Sequence, residues 1–150
     1  SFVTITGFVK EKDIPLYFAA ADLVIFPYRT FMSSSGPLSL CLSFSKPFIL
    51  SQPIAKYFSS PDFITSLHQS GLKKEDILFP LQESLMIKKI KTAFKNKEKL
   101  TNFSAILAQK RNFEILSPKY IKTIKKGQLK TAIKPLKLIK QSLRYAWKAS

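Results

Sequence analysis

The first fifty residues alternate between strand-like and helix-like segments, and this alternation constrains the fold more than any other feature. In chain order these are a strand at residues 2–6 ended by Gly7, a short helix capped by Asp13, a strand at 23–26, a helix capped by Ser35 that runs to about Ser45, and a strand at 48–50. The last two strands are continuous apolar runs, which is typical of parallel strands covered on both faces. The pattern predicts an α/β fold with a Rossmann-like parallel sheet. The helix after Ser35 has almost no charge, so we expect it to be buried between the sheet and another layer.

The second half of the chain is predicted to be mostly helical. Residues 51–83 read as irregular, with a short helix near 63–69 and an edge strand at 77–79. From Ser84 an apolar spacing of three to four predicts helices. Their expected buried faces consist of Met86, Ile90, Ala93 and Phe94, and then of Leu100, Phe103, Ile106 and Leu107. A last helix is expected to start at Ser117-Pro118 and to stop at Gly127.

Charge divides the chain into a globular part and a basic segment. Through Glu114 there are 15 basic and 9 acidic residues, whereas the last 36 residues contain 10 basic and no acidic ones. We therefore expect one domain over residues 1–116 and a basic amphipathic helical segment over 117–150. Because the chain opens inside a strand-like run without Met, we expect it to be the C-terminal part of a longer protein.

Several classes of protein are disfavoured by composition. A single cysteine, Cys41, permits no internal disulfide, and its apolar surroundings favour a core residue over a nucleophile. One cysteine and one histidine, His68, do not make the usual zinc sites, and His68 reads as a surface residue. We expect no metal. No apolar run is long enough to span a membrane, and no signal-peptide pattern opens the chain. The single cysteine fits a reducing compartment, and we expect a cytoplasmic protein, with a peripheral position on the inner face of the membrane as the alternative.

The topology itself predicts a ligand site. In open parallel sheets ligands bind beyond the carboxyl ends of the strands, where loops lead into helix N-termini. Ser33, Ser34, Ser35 and Gly36 occupy such a loop, and backbone N–H groups there attract anions. Arg29 lies just upstream and can pair with a phosphate. A purely structural role, with the serines only capping the helix, remains the alternative.

The order of short motifs resembles that of one enzyme family. Ile5-Thr-Gly-Phe-Val is followed by Asp13-Ile-Pro-Leu-Tyr-Phe-Ala-Ala-Ala-Asp-Leu-Val-Ile-Phe-Pro-Tyr, and later by Ser45-Lys-Pro-Phe-Ile. These segments resemble the C-terminal domain of retaining GT-B glycosyltransferases, the group 1 or family 4 enzymes. The match covers residues 2–50 and resumes weakly at Lys110-Arg-Asn-Phe-Glu-Ile.

The resemblance implies a donor-binding role within a larger enzyme. It implies that the chain is an incomplete C-terminal half of a GT-B fold that binds a nucleotide-diphosphate sugar, without metal or other cofactor, for transfer to an unknown glycan or lipid-linked acceptor. By position, Gly7, Phe8 and Val9 would lie near the base, and Ser33–Gly36 would face the diphosphate. Tyr28 could stack on a base or sugar, or serve only in packing. The resemblance also implies that the basic phosphate-binding residues and the acceptor-binding segments lie upstream of this chain, so we expect residues 1–150 alone to be inactive, and we assign no catalytic residue.

Departures from the family pattern leave an alternative open. The family commonly has two glutamates eight positions apart, and Met32 and Leu40 stand at those positions. Ser45 replaces the glycine of Gly-x-Pro, and Pro37 removes an N–H from the helix start. The sequence looks closest to a branch with a Ser-Gly-x-Leu turn. A degenerate, non-catalytic binding subunit is therefore the second interpretation. Glu75, Asp76 and Glu83 are weak candidates for a replacement ribose contact.

The basic tail supports a third interpretation. Residues 128–150 interleave lysines with apolar residues at helical spacing and end near Trp147. Such a helix can lie on an anionic membrane, which makes a peripheral, membrane-associated module possible, or it can pack against another domain with its lysines solvated. No nucleic-acid-binding motif accompanies the charge, so we expect no nucleic-acid partner.

Overall fold

Three short parallel strands form the sheet of the protein, seen here in a computed structural model that describes residues 2–125. The described elements, in chain order, are a 3-10 turn (Glu11–Asp13), α1 (Ile14–Ala20), β1 (Val24–Phe26), α2 (Gly36–Ser43), β2 (Phe48–Ser51), a 3-10 segment (Gln52–Ser59), α3 (Pro61–Ser70), α4 (Lys74–Ile77), β3 (Leu78–Phe79), α5 (Glu83–Lys95), α6 (Lys97–Arg111) and α7 (Phe113–Lys125). The chain divides into one unit over Ser1–Lys110 and a second that begins at Arg111. The α/β class and the parallel sheet predicted from the sequence are confirmed.

The strands lie in the order β1-β2-β3, and the middle strand is fully enclosed. Ile25 aligns with Ile49 on β2, and Leu50 aligns with Leu78 on β3, both in parallel register. All four residues of β2 are buried. The first three, Phe48–Leu50, are apolar, as is typical of a strand covered on both faces, and the last is Ser51. The predicted strands at 23–26, 48–50 and 77–79 are therefore confirmed within a residue or two.

An aromatic cluster joins the sheet to the helices of the first unit. The Phe103 ring of α6 lies 5.6 Å from Phe48 on β2 and 5.8 Å from Phe63 on α3, and Phe63 in turn lies 5.1 Å from Phe58. Phe48, Phe63 and Phe103 are completely buried. Such tilted and edge-to-face ring pairs add to the free energy gained from burying apolar area. The core therefore sits between the sheet, α3 and α6.

The helical faces predicted for the second half are largely confirmed. Ala93, Leu100, Phe103 and Leu107 are buried, and Met86 and Ile90 pack against the core as partly buried residues. Phe94 departs from the prediction, because half of its surface is exposed. The expected short helix near residues 63–69 is α3, which begins two residues earlier, at Pro61.

The predicted first strand, residues 2–6, is wrong. These residues have no regular secondary structure, and Ile5 is 92% exposed. Strand propensity reflects packing on a pleated, half-buried surface, so it yields a strand only where a neighbour and a core face exist. In the described residues β1 pairs with β2 alone, and residues 2–6 remain outside the sheet. Gly7 consequently ends no strand.

The prediction that α2 is buried on both sides is also wrong in part. Leu38, Cys41 and Leu42 are buried, but Leu40 and Phe44 are 38% and 37% exposed. Phe44, which follows α2, stacks on Phe18 of α1 with ring centroids 5.2 Å apart. The helix therefore has one core face, and its other face remains apolar and partly exposed.

The predicted start of the last helix is wrong by five residues. α7 begins at Phe113 and carries Pro118 inside it. Asn112 provides the earlier start, because its side-chain Oδ1 accepts from the Glu114 N–H at 2.9 Å and its carbonyl accepts from the Leu116 N–H at 3.0 Å. This is the preferred chemistry of a helix N-terminus. The stop predicted at Gly127 and the basic segment at 128–150 lie outside the described residues.

Candidate functional site

The carboxyl ends of β1 and β2 are linked by a partly buried hydrogen bond. Because the strands are parallel, both chains leave the sheet at the same edge. Ser51, the last residue of β2, is fully buried, and its hydroxyl donates to the Tyr28 carbonyl at 2.6 Å. Tyr28 follows β1 by two residues, and its ring stacks on Phe26 at 5.8 Å. The start of the loop after β1 is therefore fixed to the neighbouring strand.

The end of the same loop is fixed by Ser35. Its Oγ accepts from the Leu38 N–H at 3.1 Å, which makes Ser35 the N-cap of α2, as the sequence predicts. The same Oγ lies 2.6 Å from the Tyr28 hydroxyl. Tyr28 and Ser35 thus close the loop at its two ends. Between them, Arg29, Ser33 and Ser34 are exposed at the edge of the sheet.

The N-terminus of α2 offers fewer donors than an ordinary helix start. Ser35 occupies the Leu38 N–H, the Ser39 N–H bonds the Ser35 carbonyl at 3.0 Å, and Pro37 has no N–H. The Gly36 N–H is the first-turn donor that these contacts do not use. Gly36 is exposed, and a Cβ placed on it would meet no atom within 4 Å, so its side of the helix start is open. An anion here would bind Gly36 and the exposed Ser33 and Ser34 hydroxyls.

The loop also contacts the 3-10 segment that follows β2. The Phe31 ring meets Tyr57 edge-on at 5.8 Å, and the Lys56 Nζ lies 5.2 Å from the Phe31 ring centroid. This distance is within the range of a cation–π interaction. Lys56 therefore stands at the same edge of the sheet as Arg29 and the serine loop.

No acidic residue lies in this part of the chain. Residues 23–61 contain no Asp or Glu, and their basic residues are Arg29, Lys46 and Lys56. Lys46 precedes β2, and its Nζ donates to the Ala19 carbonyl at 2.9 Å. Arg29 and Lys56 remain at the carboxyl edge, where the described residues provide neither with a carboxylate partner. The edge is therefore positively charged.

The structure does not bring all the predicted donor-binding residues together. Tyr28, Arg29 and the loop Ser33–Gly36 are contiguous and tied at both ends, as described above. Gly7 adopts a left-handed conformation with φ of 63° in open space, and Val9 is half-buried. The Phe8 side chain is 94% exposed and packs on no other group. In this structure Phe8 contributes nothing to the loop site.

The two positions where the resembled family has glutamates carry exposed apolar side chains. Met32 lies in the loop and is 41% exposed, and Leu40 lies on the outer face of α2 and is 38% exposed. Neither can accept a hydrogen bond from a sugar hydroxyl as a carboxylate does. The loop therefore offers donors and positive charge to a ligand, but no acidic acceptor.

Ser51, Phe31 and Lys56 were not singled out by sequence reasoning. The position of Ser51 is a usable signal, because it is a polar residue at the carboxyl end of a predicted buried strand. Lys56 could have been noticed as the first basic residue after that strand. Its contact with Phe31 joins two irregular segments 25 residues apart, and local patterns do not predict such a contact.

The other polar candidates lie away from this edge. Glu75 and Asp76 belong to α4, which precedes β3 and so lies at the opposite, amino end of the parallel strands. Asp76 is used locally, because its carboxylate accepts from the Lys73 N–H at 2.7 Å. Glu83 and His68 are exposed. Burial raises the pKa of the Cys41 thiol to about 12, so at neutral pH it is protonated and not a nucleophile.

Within residues 2–125, no group of three or more His, Cys, Asp or Glu residues is arranged to hold a metal ion. In the same part of the chain, no helix has the length and apolar character needed to cross a membrane. Comparison with protein-family models, with curated proteins and with solved structures found no match. The resemblance of the first fifty residues to glycosyltransferases therefore rests on their motifs alone.

Proposed function

We propose that this chain is the donor-binding portion of a GT-B glycosyltransferase, which transfers a sugar from a nucleotide-diphosphate sugar to a glycan or lipid-linked acceptor. The observation that carries the proposal is the loop between Tyr28 and Gly36. It is tied to both parallel strands by Ser35 and Ser51, and it presents exposed hydroxyls, an open backbone N–H and positive charge. A diphosphate leaving group develops negative charge during sugar transfer, and fixed donors stabilise such charge.

The degenerate alternative is favoured by one specific observation. Met32 and Leu40 leave the loop without the acidic acceptors that would orient a sugar and a ribose. A chain with this loop can retain diphosphate binding and lose the positioning of the sugar. The two functions differ in one measurable property: both bind a nucleoside diphosphate, but only the transferase gains affinity or turnover from the attached sugar.

Calorimetric titration of the protein with UDP and with GDP tests the proposed site. We expect measurable binding of at least one nucleotide, and a Gly36→Leu variant to lose it, because the added side chain occupies space that is open beside the start of α2. Ser43→Leu, an exposed position at the other end of the same helix, is the matched control and should bind normally. Absence of binding by either nucleotide contradicts the proposal, and unchanged affinity in Gly36→Leu removes the loop from the site.

A further inference from the structure

Lys56 is positively charged and lies beside the loop, where it contacts Phe31. The proposed function assigns it no role. β2 ends at Ser51 and the 3-10 segment begins directly at Gln52, so Lys56 is carried to the carboxyl edge of the sheet within five residues. Its ammonium group lies over the Phe31 ring at 5.2 Å. Phe31 contacts Tyr57 at 5.8 Å, and Tyr57 contacts the buried Phe63 at the same distance. A series of ring contacts therefore connects Lys56 to the core.

The contact with Phe31 restricts the Lys56 side chain without consuming its charge. A lysine in solvent loses rotamer freedom when it binds a ligand, and a side chain already held in place loses less. The ring attracts the cation through its quadrupole and leaves the ammonium donors available to an anion. Because residues 23–61 contain no Asp or Glu, no carboxylate of this segment neutralises the charge.

The N-terminus of α2 has few free backbone N–H groups, and the positive charge of Lys56 can add to what they offer a phosphate. A helix start normally supplies several N–H groups to a phosphate. Here Pro37 has none and Ser35 already occupies that of Leu38, so the Gly36 N–H is what the first turn offers. A diphosphate carries more charge than one backbone donor and two hydroxyls can stabilise. Side chains at this edge can add to that stabilisation, and Lys56 and Arg29 are the basic residues placed there.

We propose that Lys56, positioned by Phe31, is a phosphate-binding residue of the loop site, acting with Arg29 on the diphosphate of a nucleotide. The phosphate-binding part of this inference follows from the charge and contacts of the edge. The assignment of a nucleotide as the ligand rests on the proposed function.

Titration of the protein with inorganic pyrophosphate, UDP and GDP tests the role of Lys56. We expect Lys56→Gln to weaken the binding of pyrophosphate and of the nucleotide by about tenfold or more, the effect of losing a charge-assisted hydrogen bond. Lys99→Gln is the matched control, because it removes the same charge from an exposed position on α6. Lys97, the first residue of α6, pairs with Asp22, which lies at the amino end of β1. The start of α6, including Lys99, is therefore at the opposite edge of the sheet from Lys56. Lys56→Arg keeps the charge and the ring contact, and it should bind nearly as the parent does.

The three ligands separate failure of this inference from failure of the proposed function. Nucleotide binding that Lys56→Gln leaves unchanged overturns the inference and leaves the proposed function standing. Pyrophosphate binding that requires Lys56, without binding of UDP or GDP, supports the phosphate site and overturns the nucleotide assignment. If pyrophosphate and both nucleotides fail to bind, both proposals are wrong.

The positioning role of Phe31 has its own readout. Phe31→Leu keeps an apolar side chain against Tyr57 but removes the ring under the ammonium group. We expect weaker pyrophosphate binding in this variant, and we expect its affinity to depend on salt as steeply as that of the parent, because the charge of Lys56 remains. In Lys56→Gln the salt dependence should become shallower. Unchanged affinity in Phe31→Leu would show that the ring does not position Lys56.

Discussion

Ser45 occupies a backbone conformation that side chains rarely adopt. It has φ of 49°, and it follows α2 at the position that a glycine commonly takes after a helix. The Lys46 N–H bonds the Cys41 carbonyl and the Ser45 N–H bonds the Leu42 carbonyl, which together form a Schellman motif. The end of α3 has the same pair of bonds, but there the left-handed residue is Gly71, with φ of 65°. Ser45 therefore holds a conformation that glycine adopts without strain.

Replacing Ser45 by glycine should stabilise the protein. We expect Ser45→Gly to raise the free energy of unfolding by about 0.5–1 kcal/mol, since relief of the left-handed strain exceeds the entropy that glycine adds to the unfolded chain. Urea unfolding measures the change. The converse substitution at the equivalent position, Gly71→Ser, is the control and should lower stability by a similar amount. A lower unfolding midpoint for Ser45→Gly would contradict this account of the helix end.

At the scale of elements, the position of the loop depends on how α2 begins. Ser35 connects three groups: the Leu38 N–H, the Tyr28 hydroxyl and, through Tyr28, the end of β2 at Ser51. The loop is thus an extension of the sheet edge, and its exposed residues are held from both sides. Ser34, which directly precedes Ser35, is exposed. Substituting Ser35 removes the cap, whereas substituting Ser34 changes only the exposed surface, so the contributions of the two to stability can be measured separately.

The cap should contribute to stability, whereas the neighbouring serine should not. We expect Ser35→Ala to lower the free energy of unfolding by about 1 kcal/mol or somewhat more, because the Leu38 N–H and the Tyr28 hydroxyl both lose a partner. Ser34→Ala should change it by less than about 0.5 kcal/mol, as exposed substitutions usually do. Thermal unfolding of the two variants makes the comparison. Equal effects would mean that the cap does not hold α2 and the loop in the arrangement described.

Elements whose signals are local were predictable from the sequence. The Ser35 cap, the enclosed strand β2 and the helical faces of α5 and α6 each depend on residues a few positions apart. The strand predicted at residues 2–6 failed because pairing requires a neighbour that local propensity does not supply. The start of α7 was missed because Asn112, and not Ser117, caps the helix, and the two residue types are about equally preferred at that position. Topology predicted a ligand site at the carboxyl edge of the sheet. It did not predict that Ser51, Phe31 and Lys56 belong to that edge, because contacts between distant segments place them there.

At the scale of the whole molecule, an ion pair joins the beginning of the first unit to its last helix. The Lys97 Nζ lies 2.6 Å from the Asp22 carboxylate, across 75 residues of chain. The hydrogen bond from Lys97, and then its charge, lower the pKa of Asp22 below the ordinary value of 3.8. Both side chains are largely exposed, so solvent and salt screen the pair. The pair therefore serves as a pH-dependent contact rather than a major source of stability.

The contribution of Asp22 should disappear in acid. A carboxyl group whose pKa is lowered by folding stabilises the folded state above its unfolded pKa, and this stabilisation is lost as the pH falls through the folded pKa. We expect Asp22→Asn to be less stable than the parent at neutral pH, and the difference to vanish once the pH is well below 3.8. Urea midpoints measured across that range give the comparison. Lys97→Gln should cause a similar loss at neutral pH, and the double variant should lose no more than either single one. A difference independent of pH would exclude the ion pair as its cause.

We propose that the carboxyl edge of the sheet, between Tyr28 and Lys56, binds the diphosphate of a nucleotide. The most direct test is a nuclear magnetic resonance titration of the isotope-labelled protein with UDP and with GDP, following each backbone amide. We expect the largest shifts at residues 29–36 and 52–57, and we expect Asp22 and Lys97 at the opposite edge to remain unchanged. Shifts centred elsewhere, or none with either nucleotide at millimolar concentration, would contradict it.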